Sequence, residues 1–410
     1  MYDVNLIRKD FPMLNEKKMQ GKQLVFLDNS STTFKPTYVI DAIDNYYMNE
    51  TSNSHRGDYD LCYDMDVKIE KAREVISSFV NCDKNEVVFT NGTTSSINLI
   101  AWGYALKHLK KGDEIVLSVS EHASNLLPWF NVSKQTGAVI KYIDLDKNGR
   151  ITIDNAKKVI SKKTKIVSLA HISNVLGNIV DIKSIAKIVH QFNAIMVVDG
   201  AQSIPHLKTD FKDLDIDFLV FSAHKMYGPT GVGALIGKYH LLSDMEPVFS
   251  GGGMNVTFKE NGDIEPLPAP AKFEAGTLNL AGIMGFKAAV EYIKNIGIDN
   301  IHQHECEIRR YAIEKMEKID HVIIYNKYAE GSMITFNIDG IFAQDEATLL
   351  NYKGIAVRSG LHCAKILPSF LNVPATIRMS IALYTSKEEI DIFVDAIKEK
   401  GDILDAYFND

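Results

Sequence analysis

Short apolar segments alternate with amphipathic ones between residues 85 and 240, and this alternation constrains the fold more than any other feature of the chain. Helical patterns separate several of the apolar segments, for example at Thr94–Leu109 and Ile182–Gln191. Strands that alternate with helices build βαβ units and a mainly parallel sheet, which binds its ligands at the carboxyl ends of its strands. We therefore predict an α/β fold with strands at Glu86–Thr90, Glu114–Leu117, Val139–Ile143, Lys165–Ala170, Ala194–Val198, Asp217–Phe221 and Gly233–Ile236.

The remainder of the chain predicts a second, smaller α+β domain. Phe249–Thr277 is rich in Gly and Pro and indicates an extended surface loop or hairpin. After it we predict two long helices, four short strands and a terminal helix, at Ala281–Ile296, Asp299–Ile319, Val322–Tyr325, Met333–Ile338, Ile355–Arg358, Thr376–Ser380 and Lys387–Lys400. We expect a large domain at 26–280, a small domain at 281–410, and a segment at 1–25 that packs with the small domain.

Composition narrows the class of protein. Of 410 residues, 46% are hydrophobic and 24% charged, which is typical of a globular chain with a sizeable core. The formal net charge of −7 argues against electrostatic binding to nucleic acid or to an anionic membrane. The first residues form no signal peptide, and no apolar run is long enough for a membrane helix, so we expect a cytoplasmic protein.

Four cysteines are too few and too dispersed for a disulfide framework, which fits a reducing compartment. Cys62 and Cys82 are interpreted as packing residues. His302 and Cys306 share a helix face at i, i+4, but no further ligand accompanies them, so we expect no metal site. Cys363 requires separate consideration.

Two polar groups follow predicted strands of the large domain. Thr93 and Thr94 stand where a helix begins after the first strand, and a threonine there either binds a phosphate or only caps its own helix. Asp199 ends another strand, where a buried carboxylate needs a cation, unless it caps the following turn. Each interpretation stays open when the residue is considered alone.

Lys225 and His122 occupy similar positions. Lys225 follows the strand that ends near Phe221, and a desolvated lysine there is able to form a Schiff base, although most isolated lysines face solvent. His122 follows the second strand, where its ring either stacks on a planar cofactor or is structural. A threonine for phosphate, an aspartate for a pyridinium nitrogen and a lysine for an imine are together the contacts that pyridoxal phosphate needs.

With these residues the chain resembles the class V aminotransferase family of fold-type I pyridoxal-phosphate enzymes, and within it the group II (Suf-type) cysteine desulfurases. The resemblance implies a large domain with a seven-stranded, mainly parallel sheet, and a smaller C-terminal α+β domain. It extends over nearly the whole chain and is carried by the segments 7–12, 27–29, 55–57, 91–94, 124–125, 173–177, 198–203, 222–231, 273–277 and 358–364.

The resemblance assigns roles to individual residues. Lys225 is implied as the imine-forming lysine and proton carrier, with Asp199 on the pyridinium nitrogen. The other implied cofactor contacts are Gln202 on the phenolic oxygen, His122 on the ring face, and Thr93, Thr94, Ser222, His224 and, from a second subunit, Thr277 at the phosphate. Arg378, helped by Asn174, is implied to bind the substrate carboxylate, since an Arg fork suits a carboxylate, with His55 and Arg358 as further substrate contacts.

Cys363 decides the reaction that the resemblance implies. It lies next to His362 and five residues after Arg358, and nearby cations favour the nucleophilic thiolate. The implied reaction transfers sulfur from L-cysteine to Cys363 as a persulfide, releases L-alanine, and supplies iron–sulfur cluster assembly through an acceptor protein of the Suf system. A buried structural thiol is the alternative for Cys363.

Departures from the family pattern leave other activities open. Leu361 replaces the first of two adjacent histidines, and Tyr59, Ser95 and Met254 stand where His, an acidic residue and Glu are usual. A selenocysteine lyase, another enzyme of the family, and a non-catalytic partner-binding protein of the same fold are the alternatives. The implied oligomeric state is a homodimer.

Overall fold

The computed structural model describes residues 2–54 and 57–401. Its strands are β1 Lys18–Met19, β2 Lys22–Gln23, β3 Val25–Phe26, β4 Val87–Thr90, β5 Glu114–Ser118, β6 Val139–Ile143, β7 Thr164–Ala170, β8 Ile195–Asp199, β9 Phe218–Ser222, β10 Gly233–Gly237, β11 Asn255–Phe258, β12 Ile264–Pro266, β13 Val322–Ile324, β14 Met333–Ile338, β15 Ile355–Ala356, β16 Arg358–Gly360 and β17 Thr376–Ser380.

Helices connect most of these strands. They are α1 Val4–Arg8, α2 Pro12–Glu16, α3 Thr37–Asn45, α4 Asp60–Val80, α5 Thr93–Ile100, α6 Leu106–His108, α7 Leu127–Thr136, α8 Ile153–Val159, α9 Ile182–Gln191, α10 Tyr239–Asp244, α11 Leu280–Ile296, α12 Ile298–Met316, α13 Ala343–Tyr352, α14 Leu367–Leu371 and α15 Lys387–Ile397. None of the helices in the described part of the chain is both long enough and apolar enough to cross a membrane.

A seven-stranded sheet in the order β4-β10-β9-β8-β7-β5-β6 forms the centre of the molecule. Strand β10 runs antiparallel to both of its neighbours, and the other adjacent pairs are parallel. The predicted α/β fold with a mainly parallel seven-stranded sheet is therefore confirmed, and all seven predicted strands lie in this sheet.

Both faces of the sheet are covered at its central strands, which explains why β8, β9 and β10 are buried over nearly their whole length, whereas the edge strand β6 is partly exposed. Along β8, Met196 and Val198 contribute to one hydrophobic cluster, whereas Val197 contributes to another. In the next strand, Leu219 and Val220 divide between the same two clusters. This alternation is the period of two that a strand imposes on its side chains.

A second, four-stranded antiparallel sheet has the order β13-β14-β17-β16. Its core includes Phe336, Ile377 and Phe393, the last of them from α15. Strand β3, from the start of the chain, pairs in parallel with β15, so residues 25 and 26 join the C-terminal half of the molecule. The glycine- and proline-rich segment contains the β11–β12 hairpin, as predicted.

The first residues of the chain contact elements from both halves. Arg8 bonds to the Tyr384 carbonyl and forms a 2.7 Å ion pair with Glu389 of α15. Phe11 is fully buried and packs edge-on against Tyr227 and Tyr384. The N-terminal segment thus links the loop after β9 to the segment after β17.

Candidate active site

One cavity opens at the carboxyl ends of β4, β7, β8 and β9, between the large sheet and the strands β16 and β17. Arginines, a lysine, histidines and hydroxyl groups dominate its wall. The lining residues are Ser30, Ser31, Thr93, Thr94, His122, Ser124, Ala170, Ile172, Asn174, Asp199, Ala201, Gln202, Ser222, His224, Lys225, Arg358, His362, Cys363 and Arg378.

The cavity brings together all of the predicted site residues except two. Thr277 instead lines a separate groove beside β4 and the start of α5, with Asn91 and Ser95 among its neighbours. His55 lies outside the described residues, so its predicted substrate contact stays a prediction.

Backbone and hydroxyl donors form a cradle where β4 turns into α5. Thr93 donates its backbone N–H to the Ser222 hydroxyl over 2.8 Å, and the hydroxyl groups of the two residues are also 2.8 Å apart. Gly92 adopts φ 131°, and a Cβ built on it would lie 2.8 Å from that Ser222 oxygen. The helix N-terminus and these hydroxyl groups suit an anion.

Thr94 and His224 complete this cradle. The Thr94 hydroxyl lies 2.7 Å from that of Ser124. The His224 ring lies 3.3 Å from the Thr32 hydroxyl. Burial and the nearby Lys225 lower the pKa of His224 to about 4, so its imidazole is neutral at pH 7.

Asp199 projects from the end of β8 into the buried wall of the cavity. One of its oxygens accepts the Ala201 N–H over 2.9 Å, which is the turn cap considered from the sequence. Burial raises the pKa of this carboxyl, whereas Lys225 and the Ala201 N–H oppose that shift. Beside it, Gln202 donates to the Ser30 carbonyl, and its side-chain oxygen has no hydrogen-bond partner among the described residues.

Lys225 follows β9 and lines the same cavity as Asp199. Burial lowers its pKa to about 8, against the opposing charge of Asp199, and Arg378 and Arg358 lower it further. A substantial fraction of the side chain is therefore a neutral amine near physiological pH. Since only the neutral amine is nucleophilic, this location favours imine chemistry over a solvent-facing role.

His122 reaches the cavity from the turn after β5. Its Nδ1 accepts the Ser124 N–H over 3.1 Å, which leaves Nε2 as the atom that carries the ring proton. Burial lowers its pKa to about 4, and Lys225, Arg378 and Arg358 contribute in the same direction. The ring is thus neutral and is able to lie against a planar group.

Arg378 is a buried guanidinium held from several sides. It donates to the Asn174 carbonyl over 2.8 Å, to the Asp28 carboxylate over 3.0 Å and to the Ser31 hydroxyl over 3.1 Å. Its Nε is buried without a partner among the described residues. Arg358 lies nearby and donates to Ser31 over 2.7 Å. Two guanidinium groups on one cavity wall suit a carboxylate ligand.

Cys363 lies on the loop between β16 and α14, so it follows a strand as predicted, although that strand ends at Gly360 and not at Arg358. Its thiol is the exposed one among the cysteines of the described chain, whereas Cys62 is buried and Cys82 and Cys306 are half-buried. The Ala123 N–H donates to the Cys363 carbonyl over 2.8 Å. A buried structural thiol, the alternative considered for Cys363, is therefore wrong.

Sequence reasoning assigned no role to several residues that shape this site. Asp28 and Ser31 fix Arg378, and they come from the segment after β3, far from it along the chain. His362, which the sequence counts among the cations beside Cys363, lies on the same loop with its Nε2 3.0 Å from the Thr376 hydroxyl. Burial beside two arginines lowers its pKa to about 3, so its ring is neutral at pH 7 and the expected positive charge is wrong for this residue. The segment 27–29 is one of those that carry the family resemblance. The pairing of β3 with β15, which brings this segment to the C-terminal half of the molecule, is not visible in the sequence.

A buried lysine that follows the carboxyl end of a sheet strand, in a cavity lined by polar side chains, is the geometry of a cofactor-dependent enzyme. Comparison with known proteins identifies its class. The model of the aminotransferase class-V family matches residues 25–393. The chain belongs to the class-V aminotransferase family.

Its relatives narrow the class further. A probable cysteine desulfurase of Halalkalibacterium halodurans is 44% identical over 96% of this chain and 97% of its own. One of Staphylococcus aureus is 42% identical over 99% of both chains. Among solved structures, the cysteine desulfurase CsdA of Escherichia coli superposes with a TM-score of 0.90 at 35% identity, covering 97% of this chain and 98% of its own. The apo cysteine desulfurase of Thermococcus onnurineus gives 0.92 at 34%, with the same coverage.

Proposed function

We propose that the protein is a cysteine desulfurase that converts L-cysteine to L-alanine and receives the sulfur on Cys363 as a persulfide. Its cofactor is pyridoxal 5′-phosphate. The observation that carries the proposal is that Lys225, Asp199, Arg378 and Cys363 line a single cavity. An imine-forming amine, a counter-charge for a ring nitrogen, a carboxylate site and a free thiol are the groups that this conversion needs.

The polar groups of the cavity fit the proposed cofactor. Thr93, Thr94, Ser222 and His224 would hold its phosphate, and the Gly92 position leaves room that a side chain would fill. Asp199, a buried carboxylate that accepts the Ala201 N–H, would pair with the protonated ring nitrogen. The unpartnered oxygen of Gln202 marks a further polar contact for the ring substituents. When bound, the cofactor withdraws electrons from the substrate α-carbon.

Around that chemistry, this chain's residues orient the substrate and move protons. Arg378, with Arg358 and Asn174, would bind the carboxylate and so fix the α-carbon near Lys225. The Lys225 amine, with its pKa lowered to about 8, would accept the α-proton and return it. His122, neutral at pH 7, would cover the ring face.

Cys363 would then attack the sulfur of the substrate as a thiolate. A sulfur–sulfur bond forms and the carbon–sulfur bond of the substrate breaks. The electron pair of the broken bond stays with the β-carbon, which takes up a proton and becomes the methyl group of alanine. Because Cys363 lines the cavity and is exposed, its persulfide would be accessible to a sulfur acceptor.

We extend the proposal to the protein's setting. The enzyme is a group II (Suf-type) desulfurase of the cytoplasm, and an acceptor protein of the Suf system carries its sulfur to iron–sulfur cluster assembly. It acts as a homodimer in which Thr277 contacts the partner's cofactor phosphate. The large domain is residues 26–280, the small domain is 281–410, and the segment 1–25 packs with the small domain.

The test is incubation of the enzyme with L-cysteine and a thiol reductant, followed by assay of alanine and sulfide. The expected result is equimolar alanine and sulfide, with both lost in Cys363→Ser. Full activity in that variant overturns the persulfide step. Activity on selenocysteine that survives the substitution, with little activity on cysteine, assigns the protein to the selenocysteine lyases instead.

A further inference from the structure

The loop that presents Cys363 has an unusual backbone. His362 and Cys363 adopt φ angles of 49° and 57°, so two adjacent residues with side chains occupy the left-handed region. L-residues seldom adopt this conformation, and seldom in succession, because Cβ crowds the backbone carbonyl. Contacts from outside the loop must therefore hold this conformation.

Two hydrogen bonds from the large-sheet half of the molecule supply such contacts. The Ala123 backbone N–H donates to the Cys363 carbonyl, and the Asn174 side-chain amide donates to the His362 carbonyl, each over 2.8 Å. Consecutive carbonyls are thus held by one fixed backbone group and one side chain. Only the Asn174 amide is able to exchange this partner through a side-chain rotation.

Asn174 also belongs to the carboxylate site. Its backbone carbonyl accepts from Arg378, and the residue lines the cavity together with Arg358 and Cys363. A carboxylate bound to Arg378 would therefore lie within reach of the amide that holds the loop. A hydrogen bond to a charged carboxylate is about twice as strong as one to a neutral carbonyl.

We propose that Asn174 is a positioning residue that latches the Cys363 loop, and that a substrate carboxylate competes for its amide and releases the loop. Release is favoured because it lets His362 and Cys363 leave the left-handed region. Carboxylate binding and thiol mobility are thereby coupled through one side chain. The inference rests on the proposed function, since it assumes that the cavity binds a carboxylate substrate near Cys363.

Hydrogen–deuterium exchange of the holoenzyme tests the latch without turnover. The readout is the peptide that spans residues 358–366, which includes the Ala364 N–H bonded to the Leu361 carbonyl. The probe is potassium propionate, which has the carboxylate of alanine but no amine, with potassium chloride at equal ionic strength as the reference. Propionate is expected to speed loop exchange about fivefold, the effect of losing one hydrogen bond.

The variants Asn174→Ala and Asn174→Asp are expected to exchange fast without propionate and to show no further response. Asp has the same shape as Asn but offers only acceptors to the His362 carbonyl. Asn178→Ala is the matched control, because Asn178 lies in the same turn and its amide bonds to the Gly149 carbonyl instead. It should retain slow exchange and the propionate response, and thermal unfolding and cofactor absorbance verify that each variant folds.

The latch is wrong if both Asn174 variants exchange at the wild-type rate, or if propionate leaves wild-type exchange unchanged or slower. This outcome is separable from failure of the proposed function. Normal alanine production with no exchange response refutes the latch alone. An exchange response without alanine production refutes the desulfurase activity and leaves a carboxylate-responsive loop.

Discussion

Charge and burial at single residues define the chemistry of the cavity. Lys225 and Asp199 are both buried. The charge of Asp199 raises the pKa of Lys225, and the charge of Lys225 lowers the pKa of Asp199, so each residue favours the charged form of the other. The two arginines act on Lys225 in the opposite direction. The effect of burial on Lys225 is larger than that of Asp199, and the pKa of Lys225 falls to about 8. The neutral amine that imine formation requires is therefore available although two arginines lie nearby.

We predict that the rate at which apoenzyme binds pyridoxal phosphate covalently rises with pH through about 8 and then levels off. Below that pH the Lys225 amine is protonated and unreactive, and above it the neutral amine predominates. Stopped-flow absorbance of imine formation measures this profile. In Asp199→Asn the midpoint should move to lower pH, because the Asp199 charge raises the pKa of Lys225. A rate that still climbs at pH 10 would mean that the lysine is solvated.

Gly92 provides a steric test of the proposed phosphate cradle. Gly92→Ala places a methyl group 2.8 Å from the Ser222 oxygen, so we expect cofactor affinity to fall. Overpacking of this kind costs about 1–3 kcal/mol, or roughly 5- to 150-fold in Kd. Equilibrium titration with pyridoxal phosphate measures the change.

Gly112→Ala is the matched control for that substitution. Gly112 also has a positive φ, of 92°, but a Cβ there would meet nothing within 4 Å. Its variant also carries the strain of a positive φ but lacks the crowding, so its cofactor affinity should equal the wild type's. If both variants lost cofactor affinity equally, the cause would be backbone strain and not crowding, and the result would contradict the proposed cradle.

At the scale of elements, sequence periodicity located the strands and long helices of the sheet within one or two residues. Val139–Ile143 and Ile182–Gln191 have the predicted bounds, since apolar runs and amphipathic periods are local properties. The predicted helix Thr94–Leu109 is instead interrupted by a π-helical segment at Ala101–Ala105. Likewise, the predicted strand at 355–358 divides into β15 and β16, which join different sheets. Such breaks depend on packing partners that a local pattern does not contain.

Helix α15 is tied to the start of the chain by the Arg8–Glu389 pair, whose side chains are 14% and 4% exposed. Arg8→Ala leaves the Glu389 carboxylate buried without its counter-charge, so we expect the free energy of unfolding to fall by about 3 kcal/mol. Urea denaturation followed by circular dichroism measures it. Lys398→Ala breaks an exposed pair with Asp395 and should change stability by less than about 0.5 kcal/mol. If Arg8→Ala and Lys398→Ala changed the free energy of unfolding equally, the Arg8–Glu389 pair would not anchor α1.

The whole molecule assembles the proposed carboxylate site from segments far apart in sequence. Asp28 and Ser31 come from the first tenth of the chain, yet they fix Arg378 near its end. The parallel pairing of β3 with β15 and the Asp28–Ser380 bridge bring them together. The sequence alone predicts that residues 1–25 pack with the small domain, but it does not pair Asp28 or Ser31 with Arg378. It predicts roles for Asp199, Lys225 and Cys363 from their motifs and for Arg378 from the family resemblance.

Thr277 tests the proposed homodimer by complementation between subunits. In its own chain it lies in the groove beside Asn91 and Ser95, outside the cavity. We expect Thr277→Asp to be inactive as a homodimer because its carboxylate repels the phosphate, and Lys225→Ala to be inactive because it lacks the amine. Mixed dimers of the two variants should regain activity, since one of their sites combines an intact Lys225 with an intact partner threonine. Inactive mixed dimers would mean that Thr277 contributes to the cofactor site of its own chain and not to that of the partner.

The central claim is that Cys363 receives the sulfur of L-cysteine, and the most direct measurement is peptide mass spectrometry after a single turnover without reductant. We predict that the peptide containing Cys363 gains the mass of one sulfur atom while one equivalent of alanine is released. The peptide containing Cys306, a half-buried thiol elsewhere in the chain, should be unchanged. Release of alanine with no sulfur added to Cys363 would contradict the account. So would release of the same amount of alanine by Cys363→Ser.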